Sequence, residues 1–213
     1  MFIIDTETAS LQGGVVEIAW LEIDKDLTVL SEFVSKVNPE RHIDPGAFAV
    51  HGISDDDVAF APTLGTIKEM LPEGITMLAY NVDFDVRMIK PHIVPAKKFC
   101  VLKLARELVV GTTNHKLETL QRELSLPEQK SHSALGDVYT TLDVLKHCLT
   151  LTEASLETLI ERQSQPKMLA KMPFGVHKGK PMLQVPKGYR MWLESQPDLN
   201  ADLRYTLERL NTV

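Results

Sequence analysis

Three strand-like segments follow one another closely at the start of this chain. Residues 2–4 (FII) are apolar, and residues 15–23 (VVEIAWLEI) and 27–37 are rich in β-branched residues, a composition typical of strands. Successive strands joined by turns pair antiparallel. The chain is therefore predicted to begin with an antiparallel meander, which limits the fold to those built on a sheet.

Helical patterns alternate with two more strands after this meander. The expected strands are residues 75–80 and 99–102, and the expected helices are 63–71, 83–89, 103–108, 116–124, 134–148 and 156–162. Strands followed by alternating helices and strands are typical of an α/β fold, in which helices cover a mixed sheet.

Composition excludes several classes of protein. The 213 residues are 44% apolar and 24% charged, which is typical of a globular chain. No apolar run approaches the ~20 residues that cross a bilayer, and the N-terminus has no basic segment of a signal peptide. The two cysteines, Cys100 and Cys148, cannot build a disulfide framework. We expect a cytoplasmic protein with no membrane partner.

Charge divides the chain into two parts. Residues 1–163 contain 15 basic and 25 acidic residues, whereas residues 164–192 contain six basic residues and no acidic one. A polar stretch at 163–166 (QSQP) separates them. We predict one domain over 1–163 and a small basic and aromatic module over 164–213, whose cations could bind an anion.

Four carboxylates and one histidine are candidates for a catalytic site. Asp5 and Glu7 would point to the same side of an extended strand, about 6.6 Å apart. This pair alone is more typical of a solvated acidic turn. Asp85 follows the fourth strand, and Asp137 borders the apolar face of the long helix, where an unpaired acid is costly. His132 precedes that helix.

These groups together could perform hydrolysis of a phosphodiester. Four carboxylates can hold two Mg²⁺ or Mn²⁺ ions about 3.5–4 Å apart, the arrangement used for in-line phosphoryl displacement. Cations would also let an acidic site accept an anionic substrate. His132 could take the proton from the attacking water, a role that histidine side chains often have in catalysis.

The motifs in chain order resemble those of the DEDDh 3′→5′ exonucleases of the DnaQ-like superfamily. The resemblance rests on residues 5–8 (DTET), on Asn81 and Asp85, on His132 and Asp137, and on the connecting residues 51–54 (HGIS). It covers about residues 1–150. Residues 11–19 (LQGGVVEIA) and the C-terminal part most resemble the bacterial exodeoxyribonuclease X branch.

The resemblance implies a ribonuclease H-like fold with a five-stranded mixed sheet. It implies Asp5, Glu7, Asp85 and Asp137 as ligands of two metal ions and His132 as general base. It further implies substrate contacts, which we assign to Thr6, Thr8, Leu11, Gln12, His51, Ile53, Asn81 and Phe84. Tyr80 and Ser133 depart from the family pattern, which has His and Arg there in many members.

Three surface features each allow a functional and a structural interpretation. Leu11 and Gln12 could wedge beside a terminal base pair or simply form a hairpin loop. His51 and Ile53 could contact the 3′-terminal nucleotide, with Ile53 packing on its base, or form a structural turn. The module over 164–213 could be a flexible end, but cations beside aromatic residues favour contact with DNA. Its candidate contacts are Lys178, Lys180, Arg190 and Trp192.

The sequence therefore predicts a metal-dependent 3′→5′ exodeoxyribonuclease that releases nucleoside 5′-monophosphates from single-stranded or duplex DNA, in a setting such as DNA repair. One alternative is an exoribonuclease of the same superfamily, because one sequence does not show how the site treats a 2′-OH. Another is a non-catalytic or proofreading subunit that has a polymerase or repair protein as partner.

Overall fold

The computed structural model describes residues 1–196 and 199–211, and it divides into two compact units, unit 1 (1–164) and unit 2 (165–213). Unit 1 is built on a five-stranded sheet with the strand order β3-β2-β1-β4-β5. The strands are β1 (Phe2–Ser10), β2 (Gly13–Ile23), β3 (Val29–Lys36), β4 (Thr76–Ala79) and β5 (Lys97–Cys100). The first three pair antiparallel, while β4 runs parallel to β1 and to β5. The predicted α/β fold with a five-stranded mixed sheet is confirmed.

The helices of unit 1 follow β3 and then alternate with β4 and β5 along the chain, as predicted. They are α1 (Pro45–His51), α2 (Asp55–Val58), α3 (Leu64–Ile67), α4 (Val82–Ile89), α5 (Val101–Leu108), α6 (Leu117–Glu123), α7 (Ala134–Thr150) and α8 (Leu156–Ser164). Within the described residues of both units, no helix combines the length and the apolar character that a bilayer crossing requires.

Strand β1 lies at the centre of the sheet and contributes to a core on each face. Ile3 packs with Leu21 and with Val138 of α7, whereas Ile4 packs with Met77 and with Ile89 of α4. Successive side chains of a strand point to opposite faces. Residues 3, 5 and 7 therefore face the side of α7, and residues 4 and 6 face the side of α4.

The first strand is longer than its apolar segment indicates. The prediction ended it after Ile4, but β1 continues to Ser10, because its backbone stays paired with β2 as far as Ser10 and Gly13. The connecting turn contains only Leu11 and Gln12. Asp5 and Glu7 consequently lie within a paired strand and not in a solvated loop.

Unit 2 has a small core of its own. Its helices are α9 (Lys187–Glu194), which the sequence analysis did not predict, and α10 (Ala201–Asn211). Backbone hydrogen bonds from Met172 to Lys180 and from Gly179 to Met172, both 2.8 Å, close a compact loop before α9. The buried side chains of this core are Met172, Met182, Val185, Leu193, Leu203 and Leu207.

Two phenylalanines in unit 1 allow a test of this core assignment. Phe99 on β5 is completely buried, whereas Phe60 is fully exposed. We expect Phe99→Ala to lower the free energy of unfolding by about 3–5 kcal/mol, because it leaves a cavity. Phe60→Ala should change it by less than about 0.5 kcal/mol. Urea unfolding measures both, and equal losses would contradict the assigned core.

Candidate active site

The sheet opens beside the two carboxylates of β1. Strand β4 pairs with β1 only through Phe2 with Met77 and Ile3 with Leu78. After that point the chain leaves β4 and turns into α4. Asp5 and Glu7 follow on β1 with their side chains on the same face, and both are half-buried. The divergence of β4 from β1 thus leaves room for a ligand next to them.

Helix α7 brings the third carboxylate to this opening. Asp137 is in the first turn of α7 and is half-buried. One carboxylate oxygen from each of Asp5, Glu7 and Asp137 lies within 4.8 Å of the others. Three of the four predicted metal ligands are therefore collected into one group, although Asp137 is more than 125 residues from Asp5 and Glu7 in sequence.

Asp85 approaches the group from the other face of the sheet. It is in the first turn of α4, only 3% exposed, and its Oδ1 accepts a 3.0 Å hydrogen bond from the Thr6 hydroxyl. It lies outside the three-carboxylate group, but its charge raises the pKa of Asp5. Thr6, predicted as a substrate contact, is buried, and its side chain holds Asp85 in place.

The close carboxylates resist ionisation. Burial, followed by the charges of neighbouring carboxylates, raises the pKa of Glu7 to about 7 and that of Asp5 well above its usual range. Burial raises the pKa of Asp85 to about 7, although the hydrogen bond from Thr6 acts in the opposite direction. Burial also raises the pKa of Asp137 to about 6, although the charge of the nearby His132 lowers it. A divalent cation would relieve this repulsion, and oxygen ligands suit a hard ion. The donor set therefore fits a metal site.

His132 lies beside this group, in the turn that leads into α7. Its backbone has a φ of 57° and hydrogen-bonds the Asp137 carboxylate. Its ring is exposed, and it makes no hydrogen bond to any residue that the structure describes. Together with Asp137 it lines a cleft of about 240 Å³. The arrangement leaves an imidazole nitrogen available to a water molecule in that cleft.

Short-range contacts fix the turn that carries His132. The Ser133 hydroxyl accepts a 3.2 Å hydrogen bond from the Gly136 N–H and donates to the Lys130 carbonyl. A Cβ atom on Gly136 would lie 2.0 Å from that carbonyl oxygen, so only glycine fits here. Ser133, one of the two departures from the family pattern, thus caps α7. Tyr80, the other, donates its hydroxyl to the His115 carbonyl.

A second cleft, of about 430 Å³, extends from Glu7 along β1 to α1. Leu11, Val50 and His51 are among the residues that line it. Its volume lies in the usual range of ligand pockets. The carboxylate group therefore has a cleft on each side, one at Glu7 and one at Asp137, as a chain-like substrate would need.

Comparison with known proteins identifies the family. A family model described as exonuclease matches residues 2–145. The chain is also 31% identical to exodeoxyribonuclease 10 of Escherichia coli, over 97% of this chain and 96% of that protein. The chain belongs to the exonuclease family. It is 26% identical to the epsilon subunit of DNA polymerase III of the same organism, over 76% of each chain.

Solved structures agree with this assignment. The chain is similar to exonuclease X in complex with 5′ overhanging duplex DNA, with a TM-score of 0.67 and 31% identity over 75% of this chain and 97% of that one. Exonuclease I of E. coli, solved with an oligonucleotide, shares the fold at 17% identity and a TM-score of 0.60, over 76% of this chain and 42% of that one.

Several predicted substrate contacts of this exonuclease lie at the second cleft. Leu11, 74% exposed, forms the tip of the turn between β1 and β2 together with the exposed Gln12. The ring of His51 accepts a 3.0 Å hydrogen bond from the Ile53 N–H at Nδ1, so its Nε2 carries the proton and donates to the Thr8 carbonyl at 3.3 Å. His51 is thereby oriented along the cleft wall.

The structure corrects the role assigned to Ile53. Its side chain is only 4% exposed and packs with Ala9, Val16 and Val58, so it serves the core and does not offer a surface to a base. The local sequence does not show this, because the burial of Ile53 depends on packing with Ala9 and Val16, which are distant in sequence.

The two remaining predicted contacts lie on the first turn of α4. Asn81 is exposed at the N-terminus of the helix, and its side chain makes no capping hydrogen bond. Phe84 is half-buried against the core beneath α4, and the Arg87 guanidinium lies 5.4 Å from its ring centre. Asn81 is therefore open to a ligand, and Phe84 is open only in part.

A fifth carboxylate, which was not predicted from the sequence, lies near the site. Glu17 of β2 is paired directly with Glu7 and is 8% exposed. One of its oxygens accepts a 2.8 Å hydrogen bond from the buried Ala134 N–H at the start of α7, and the other pairs with Lys36 at 2.9 Å. Glu17 thus holds the helix that carries Asp137. An acid inside an apolar strand was the signal that could have revealed it.

Removal of the Glu17 carboxylate should loosen the start of α7. We expect Glu17→Ala to lower the free energy of unfolding by about 1–3 kcal/mol, because the Ala134 N–H loses its partner, and to lower turnover because Asp137 moves. Glu17→Gln keeps one acceptor oxygen and should therefore retain more of the folding stability and more of the turnover than Glu17→Ala does. The matched control, Glu22→Ala on the same strand, removes a carboxylate that accepts from Ser31 at the surface. Urea unfolding measures the stability of these variants, and a nuclease assay measures their turnover. Equal losses in Glu17→Ala and Glu22→Ala would contradict the role assigned to Glu17.

Proposed function

We propose that this exonuclease is a 3′→5′ exodeoxyribonuclease that hydrolyses phosphodiester bonds at DNA 3′ ends and releases nucleoside 5′-monophosphates. The observation that carries the proposal is the group of Asp5, Glu7 and Asp137 with His132 beside it. Support comes from the near full-length similarity to exodeoxyribonuclease 10 and from the similarity to exonuclease X bound to DNA. The expected location is the cytoplasm.

The carboxylates would hold the cations of the reaction. We assign this role to Asp5, Glu7, Asp137 and Asp85, and we expect two Mg²⁺ or Mn²⁺ ions. When bound, such ions supply Lewis acidity and offset the charge of the phosphodiester. Without them, an acidic surface repels DNA.

His132 would serve as the general base. Its free imidazole can accept a proton from the water that attacks the phosphorus, while the bond from phosphorus to the 3′ oxygen breaks. The charge of the nearby His132 in turn lowers the pKa of the Asp137 carboxylate. The roles of the two residues are therefore separable: Asp137 holds charge in place, and His132 moves a proton.

The cleft beside Glu7 would receive the terminal nucleotide. Leu11 lines this cleft and would contact a terminal base pair together with Gln12, the next residue of the same turn. His51, which donates to the Thr8 carbonyl, forms part of the cleft wall. Asn81 would contact the substrate from the start of α4. Burial lowers the pKa of His51, which favours its neutral imidazole.

The similarity to the epsilon subunit of DNA polymerase III favours a second candidate function, that of a proofreading exonuclease within a polymerase. The chemistry would be the same, but the protein would act with a partner. A DNA polymerase that co-purifies with the tagged chain and increases its activity would favour this alternative over the free enzyme.

The decisive experiment uses 5′-labelled DNA and RNA of one sequence, with Mg²⁺ or with EDTA, and Asp5→Ala as control. We expect a ladder that shortens from the 3′ end in Mg²⁺, absent in EDTA and in Asp5→Ala, with DNA degraded faster than RNA. Faster degradation of RNA would support the exoribonuclease alternative. Cleavage of neither would contradict an enzyme that acts alone.

Thermal unfolding with and without Mg²⁺ separates metal binding from proton transfer. Mg²⁺ at 100 times its dissociation constant should raise the melting temperature by roughly 5 °C, and Asp137→Asn should remove this rise. His132→Ala should keep the rise but lose most turnover. Asp143→Asn, on the same helix but outside the carboxylate group, is the matched control. It should keep the rise in melting temperature with Mg²⁺ and the turnover. A rise that survives in Asp137→Asn would contradict the assigned ligand.

A further inference from the structure

Unit 2 carries a row of aromatic rings that the proposed catalytic mechanism does not use. The rings of His177 and Tyr189 are in an edge contact with centres 4.7 Å apart, and the rings of Tyr189 and Trp192 are tilted with centres 5.4 Å apart. Tyr189 and Trp192 are three residues apart on α9, so they share one side of the helix. Trp192 is 54% exposed. The row therefore ends in a large ring that solvent can reach.

Three cations are close in sequence to the residues of this row. Lys178 directly follows His177, and Lys180 ends the same tight loop, which the backbone hydrogen bond from Gly179 to Met172 closes. Arg190 follows Tyr189 on α9. Both lysines are exposed, and no ion pair engages Lys178, Lys180 or Arg190 within the described part of unit 2. Their charges are available to an anion.

The local charge balance favours a polyanion. Residues 164–192 contain six basic residues and no acidic one, although the whole chain has a net charge of -6. Apolar burial explains the core of unit 2, which consists of other side chains, such as Leu193 and Leu203. It does not explain a half-exposed tryptophan in a segment whose cations Lys178, Lys180 and Arg190 form no ion pair with any acid that the structure describes.

We propose that these residues form a binding site for single-stranded DNA. The site, called the aromatic–basic face, consists of His177, Lys178, Lys180, Tyr189, Arg190 and Trp192. Its cations contact successive phosphates, and Trp192 stacks on a base. This combination binds single strands with little sequence preference, because every base has a π-face. Paired bases are already stacked on one another, so a duplex offers Trp192 less than a single strand does.

The inference deepens the proposed function, since it names the form of DNA that unit 2 holds for the nuclease. The use of this binding in DNA degradation rests on the proposed function, whereas the binding itself does not. Binding itself is measured without hydrolysis, so the two can fail separately.

The test measures the affinity of the full-length protein for a 5′-fluorescein-labelled dT oligonucleotide of 30 nucleotides, by fluorescence anisotropy in EDTA. Hydrolysis does not occur there, and the carboxylates of unit 1 repel DNA. Wild-type protein should bind the oligonucleotide more tightly than the corresponding blunt duplex. Trp192→Ala should weaken binding about 10-fold or more.

Matched variants separate stacking from general apolar contact. Met191→Ala removes a neighbouring side chain on α9 with almost the same exposure, 55%, and should change the affinity less than about 2-fold. Trp192→Phe retains an aromatic ring and should bind within about 3-fold of wild type. Circular dichroism on each variant shows that unit 2 remains folded. Equal loss in Met191→Ala and Trp192→Ala would overturn the proposal.

The salt dependence tests the cations. Lys178→Ala with Lys180→Ala should weaken binding and reduce the slope of log affinity against log salt by about 1.4, since each phosphate contact in a single strand contributes about 0.7. The control is Lys25→Ala with Lys97→Ala, two exposed lysines of unit 1 that pair with Asp26 and Glu161. An unchanged affinity and slope in the Lys178 and Lys180 variant would overturn the proposal.

Exonuclease assays on the same variants keep the two conclusions distinct. If binding depends on the aromatic–basic face while wild-type protein degrades no DNA in Mg²⁺, the binding site stands and the proposed function fails. If the protein degrades DNA but the face variants bind as wild type does, the proposed function stands and this inference fails.

Discussion

Mutual repulsion among carboxylates is the constraint on which this exonuclease is built. Asp5, Glu7 and Asp137 have oxygens within 4.8 Å of one another. Burial raises the pKa of all three carboxylates, and the charges of other members of the group also raise the pKa values of Asp5 and Glu7. Folding alone does not favour such a group, because each buried charge opposes the next. The rest of unit 1 must therefore hold the group in place.

The alternation of strand β1 explains how the fold does this from both faces of the sheet. Asp5 and Glu7 face the side of α7, where Glu17 binds the first turn of that helix through the Ala134 N–H. Thr6 faces the side of α4 and holds Asp85. The central strand β1 and its neighbour β2 therefore position the starts of α4 and α7. The early divergence of β4 from β1 leaves space for the carboxylates that these helices carry.

Much of this arrangement could be predicted from local sequence. The strands at the N-terminus, the acids Asp5 and Glu7, and the helix that bears Asp137 follow from short-range patterns of apolar and charged residues. Ile53 and Glu17 could not be placed in this way. The burial of Ile53 depends on packing with Val16, and the hydrogen bond that Glu17 accepts comes from the Ala134 N–H. Both partners are more than 30 residues distant in sequence.

The sequence by itself determined which chemical groups are present: four acids and a histidine in family order, and a C-terminal segment with cations and aromatic rings but no acid before residue 193. Only the tertiary structure decided which of them meet. It joined Asp5, Glu7 and Asp137, set Asp85 beside them on Thr6, and ordered His177, Tyr189 and Trp192 into a row. The physical reason is that residue type sets charge and hydrogen-bonding capacity, whereas strand pairing and helix packing set distance, on which electrostatic interactions depend.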